Sequence, residues 1–91
     1  MMNREIQFLR VTPIATFDVT SSEAALLADL QNAVGGYIER VHLDGAYKDY
    51  YLIVNEEGLL EDNPVPNYFA SLVAKQPIYG SVALIKKEDF R

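Results

Sequence analysis

Two short β-prone runs, Ile6 to Val11 and Ile14 to Val19, are separated by Thr12-Pro13, which predicts a pair of strands. In the second run Ala15, Phe17 and Val19 alternate with Thr16 and Asp18, so one face is expected to be buried and the other wet. The period then changes. Leu26, Leu27, Leu30, Ala33 and Val34 recur at three- and four-residue spacing, which places one apolar stripe along a helix from Ser21 to Val34. Thr20 and Glu23 have the spacing of a capping box at its start, and Gly35-Gly36 supply its stop.

Tyr37, Glu39, Val41 and Leu43 alternate with Ile38, Arg40 and His42, and the run closes at Asp44-Gly45. With Tyr50 to Val54 it predicts an antiparallel hairpin whose connection carries Tyr47 and Lys48. Leu59 to Pro66 contains two prolines and is expected to be a loop. Asn67 is placed to cap a short helix ending near Lys75, with Tyr68, Phe69, Leu72 and Val73 as its apolar face and Pro77 beyond the stop. The last run, Ile78 to Ile85, has Val82 and Leu84 on one face and Tyr79, Ala83 and Ile85 on the other, the pattern of a central strand.

These elements predict an α+β fold: a small, mainly antiparallel sheet of four or five strands, with helix 21–34 on one face and helix 67–75 near an edge. The expected core is Leu26, Leu30, Val34, Val41, Leu52, Val54, Phe69, Leu72, Val82 and Leu84. A chain of 91 residues suffices for one domain, 1–91, and buries a modest fraction of its surface, so a homo-oligomer would add to its stability. With 49% hydrophobic and 23% charged residues, the chain is expected to fold without a partner.

The chain contains no cysteine, so a disulfide scaffold and a thiolate metal site are both excluded and a reducing, cytoplasmic setting is expected. No apolar run reaches the length of a membrane span and no export signal is expected. A net charge of −5 repels phosphate backbones at long range, so direct nucleic-acid binding is not expected.

Candidate chemistry is sparse. His42 is the single histidine and lies mid-strand, with no cysteine to act as an alternative nucleophile, so no catalytic residue is assigned. Glu56, Glu57, Glu61 and Asp62 cluster without the alternating ligand spacing of a calcium loop; no metal and no cofactor are expected. Gly35-Gly36 follows a helix, the reverse of the strand-to-helix order of phosphate-cradling loops. Six tyrosines and no tryptophan fit either β propensity or flat, polar-tipped walls for stacking.

The run Leu30-Gln31-Asn32-Ala33-Val34-Gly35-Gly36-Tyr37-Ile38-Glu39, then Val54-Asn55-Glu56-Glu57-Gly58, Pro66-Asn67-Tyr68-Phe69-Ala70-Ser71 and Ile78-Tyr79-Gly80, resembles the family called domain of unknown function 3846. The likeness covers roughly residues 26 to 85. It implies an accessory protein of a phage or other mobile element acting in the cytoplasm of a bacterial host, with countering host defence as an implied role and no enzymatic activity.

Two partners fit that implication. One is a nucleotide-derived signal sequestered in a pocket, for which Gly35, Gly36, Tyr37, Arg40, Asn55, Glu56, Asn67 and Tyr79 are the candidate ligand-binding residues. Arg40, Lys48, Lys75, Lys86 and Lys87 are the available cations. The other is a host nuclease or defence effector, whose basic surface Asp44, Asp49, Glu56, Glu57, Glu61 and Asp62 would occupy. A purely structural reading stays open beside both: Gly58 is expected at positive φ in a turn that Asn55 bonds, and Asn67 as a helix cap.

Overall fold

The computed structural model describes residues 4–58 and 64–90. Five strands, β1 (Glu5–Val11), β2 (Thr16–Ser22), β3 (Ile38–His42), β4 (Tyr50–Asn55) and β5 (Val82–Lys86), form one sheet in the order β2-β1-β5-β4-β3. Every neighbouring pair is antiparallel. Two helices, α1 (Leu26–Val34) and α2 (Tyr68–Ala74), complete an α+β fold.

Strand periodicity divides the core in two. Ile6 and Phe8 of β1, Ile53 of β4 and Ala83 and Ile85 of β5 pack with Leu26, Leu30, Ala33 and Val34 of α1. Their neighbours Val11, Leu52, Val54, Val82 and Leu84 point the other way and pack with Leu43, Ala70 and Ile78. Residues 82 to 85 are all buried, as expected for a strand at the centre of a sheet covered on both faces.

α2 packs on the face opposite α1, where Ala70, Val73 and Ala74 join the second cluster. Its orientation differs from the apolar face read in the sequence. Tyr68 is 78%, Leu72 75% and Phe69 38% exposed, so Phe69 and Leu72 leave the expected core, and Val41 is only half-buried. The inward stripe is instead Asn67, Ala70, Ser71 and Ala74, at i, i+3, i+4 and i+7. Polar anchoring fixes this rotation. The Asn67 N–H donates to Ile78 O (2.9 Å), while Ser71 Oγ donates to Ile78 O (3.2 Å) and accepts from Ile78 N–H (2.8 Å). Small Ala70 and Ala74 permit the close approach that those bonds require.

The start of the first helix also moves. β2 continues through Ser22, and Ser22 Oγ, not Thr20, accepts the capping bond, from Ala25 N–H at 3.2 Å. A 3₁₀ turn over Glu23–Ala25 then leads into α1. Ser21 is held in the ladder opposite Ile6 and donates to Asp29 Oδ2 at 2.6 Å, so pairing with β1 outcompetes helix initiation at Ser21. The last strand begins at Val82; Tyr79 makes an isolated bridge to Pro66. Of the loop expected over 59–66, residues 59–63 lie outside the described residues.

Candidate functional site

The C-terminus of α1 meets the ends of β4 and β1, the two strands that flank β5. Gly35 ends the helix in the left-handed region, φ +81, with its N–H bonded to Gln31 O at 2.8 Å, a conformation that disfavours a Cβ. Gly36 also bonds Gln31 O, at 3.1 Å. The chain then enters β3, where Glu56 N–H donates to Tyr37 O at 3.0 Å.

Asn55 joins these pieces. Its Nδ2 donates to Val34 O (3.2 Å), and its Oδ1 accepts from Glu57 N–H (2.8 Å). The bond to the loop backbone is the one expected from the sequence. The accompanying expectation for Gly58 is corrected: it is absent from the positive-φ glycines, Gly35, Gly45 and Gly80. A Cβ at position 58 would meet Tyr79 O at an ordinary 3.5 Å.

A cleft of about 320 Å³ opens beside this junction, lined by Arg10, Gly35, Asn55, Gly58, Tyr79 and Gly80 among others. A smaller one of about 200 Å³ shares Asn55, Gly58 and Tyr79 and adds Glu39, Glu56 and Gln76. Gly36 and Tyr37 line a third, open surface with Gln31, Asn32 and Gly35, and Tyr37 is 71% exposed there.

The eight candidate residues are therefore distributed, not gathered. Gly35, Asn55 and Tyr79 meet in the larger cleft, and Glu56 joins Asn55 and Tyr79 in the smaller. Asn67 is 1% exposed and fully engaged: Nδ2 donates to Val11 O (3.0 Å) and Gly80 O (2.9 Å), and Oδ1 caps α2 through Ala70 N–H (3.1 Å). Arg40 stands elsewhere, over the ring of Tyr51. Glu61 and Asp62 of the acidic cluster lie outside the described residues.

Arg10 is the cleft residue that sequence reasoning passed over. Its Nε donates to Ala33 O (3.3 Å) at the C-terminal end of α1, where the helix dipole favours a cation. Its remaining guanidinium N–H groups form no hydrogen bond to a described residue, and Arg10 lines the cleft. A signal for it exists in the sequence: Arg10 is in phase with Ile6 and Phe8, a charge on an otherwise apolar strand face.

Among the described residues no group of three or more His, Cys, Asp or Glu is placed to hold a metal ion. No described helix is long and apolar enough to cross a membrane. A family model matches residues 6–90. The chain belongs to that family, Domain of unknown function (DUF3846). The DUF3846 match extends the resemblance seen over residues 26 to 85 through β1 and β2 to Phe90. No curated protein and no solved structure matches the chain.

Proposed function

We infer that this DUF3846 protein binds a small host molecule without transforming it, and that the ligand is a nucleotide-derived signal taken up where the end of α1 meets β1 and β4. The observation that carries the reading is the convergence of Arg10, Gly35, Asn55 and Tyr79 on one cleft of about 320 Å³. That volume lies at the small end of ligand sites, roughly 300–1,000 Å³, so a second copy closing over the cleft would complete the enclosure. Arg10 offers fork-like donors to a phosphate, and Tyr79 a flat wall. Binding of this kind requires no general base, in keeping with a non-enzymatic protein.

The biological setting we propose is that implied by the family resemblance: a phage or mobile-element protein that withdraws a defence signal in the cytoplasm of its bacterial host. A second reading rests on a different observation. Val65, Tyr68 and Leu72 are exposed apolar side chains, and such side chains can anchor a protein partner. On that reading the protein occupies a host nuclease or defence effector, with Glu56 and Glu57 facing its basic surface.

The test is calorimetry against a nucleotide panel that includes cyclic dinucleotides and cyclic ADP-ribose derivatives, followed by recovery of the ligand after heat denaturation. Tight binding with intact ligand returned, weakened at least about tenfold in Arg10→Gln, is the expected result. An altered product would replace the binding reading with an enzymatic one. Absence of binding, together with salt-sensitive capture of a host nuclease or effector, would favour the second reading.

A further inference from the structure

We propose that the protein carries a separate phosphate-binding site, formed by Arg40 and Lys87 around the ring of Tyr51. Register brings the parts together. β3 sets Arg40 opposite Ile53 and His42 opposite Tyr51, on the sheet face that α1 covers. On the other side Tyr51 lies opposite Ile85 of β5. The chain leaving β5 makes a 3₁₀ turn over Lys87–Asp89, pinned where Lys87 N–H donates to Asp49 O at 2.9 Å. That turn brings Lys87 and Phe90 back to Tyr51.

The result is a cationic, aromatic cluster. The Arg40 guanidinium carbon lies 4.9 Å and Lys87 Nζ 5.3 Å from the centroid of the Tyr51 ring, so the two cationic centres are within about 10 Å of each other. Arg40 is also 5.8 Å from the Phe90 centroid, and His42 meets Tyr51 edge-on at 5.2 Å. The ring quadrupole attracts each cation, but leaves their N–H donors unused.

Among the described residues neither Arg40 nor Lys87 forms an ion pair, and neither side chain donates a hydrogen bond. The nearby carboxylate of Asp89 is already taken by Arg4, at 3.0 Å. In a chain with thirteen acids and eight bases, Arg40 and Lys87 converge on one ring, with Asp49 and Glu88 as the acidic residues beside Lys87. With both cations over the ring of Tyr51, the group recognised is an anion and not a stacked base. A phosphate group accepts bidentate bonds from Arg40 and a point-charge contact from Lys87.

This site goes beyond the proposed ligand cleft, which Arg40, Tyr51 and Lys87 do not line. It is tested by amide NMR titration of the whole chain with inorganic phosphate and with pyrophosphate, at constant ionic strength against chloride. The expected result is saturable shifts confined to the neighbourhood of residues 40, 42, 51 and 87. Binding should weaken at least about tenfold in Arg40→Gln and in Lys87→Gln, and less in Arg40→Lys, which keeps the charge without the fork. The unfolding midpoints of these variants should stay unchanged, since Arg40 is exposed and Lys87 only partly covered. Shifts that do not saturate, that chloride reproduces, or that persist undiminished in both Gln variants would overturn the proposal. So would a single-stranded oligonucleotide that shifts this cluster while phosphate and pyrophosphate do not, because the site would then read a polymer.

Discussion

A Cβ built on Gly36 would fall 2.9 Å from Nδ2 of Asn55. Gly36 has no positive φ, so its value here is the space it leaves. Asn55 cannot yield freely, because its amide is bonded at both ends, to Val34 O and from Glu57 N–H. Gly36→Ala should therefore destabilise by about 1–2 kcal/mol, the scale of one or two distorted hydrogen bonds. In an Asn55→Ala background the same change should cost markedly less. Urea unfolding of the four proteins in the cycle measures the coupling.

Asn67 combines a helix cap with two bonds to buried backbone carbonyls, so it should be among the most sensitive polar positions. Asn67→Ala loses the cap and leaves Val11 O and Gly80 O without this donor, an expected loss of about 2–4 kcal/mol. Asn67→Asp keeps an acceptor for Ala70 N–H but not the donors, and should also destabilise. An unchanged melting temperature in both variants would contradict a structural role for the side chain.

The leucines of the two helices should behave oppositely. Leu30 is 0% exposed, and Leu30→Ala should cost about 2–5 kcal/mol. Leu72→Ala, on the outer face of α2, should change stability by no more than about 0.5 kcal/mol. Denaturant midpoints of the two variants, side by side, check the orientation of α2. A large loss at Leu72 would mean that this face is covered in solution.

Glycines 35 and 58 differ in the same way. Gly35→Ala forces a Cβ into the left-handed region and should cost about 1–2 kcal/mol. Gly58→Ala should be nearly neutral, since its φ is ordinary and the added Cβ finds a 3.5 Å contact with Tyr79 O. Thermal unfolding of the two single variants separates them.

Local patterns accounted for most of the elements. Alternation marked the strands, three- and four-residue spacing marked α1, and Gly35, Asn67 and Pro77 marked boundaries, because these signals depend on φ preferences and hydrogen bonds within a few residues of chain. The all-apolar run 82–85 likewise announced a strand covered on both faces. α2 shows where such reasoning ends. Tyr68, Phe69, Ala70, Leu72, Val73 and Ala74 are apolar nearly all round a short helix, so periodicity could not choose a face. The choice fell to bonds from Asn67 and Ser71 to Ile78, and to the small side chains that let the helix approach the sheet. The cleft was legible only in part for the same reason. Gly35 and Asn55 announced themselves as turn residues, whereas Arg10 became part of the site only when β1 was set beside the end of α1, and Arg40 left it only when pairing with β4 drew it over Tyr51. The sequence by itself determined which segments would be extended, helical or turning. The tertiary structure decided which side chains would meet, because contacts between distant segments depend on register and helix rotation, which local preference does not encode.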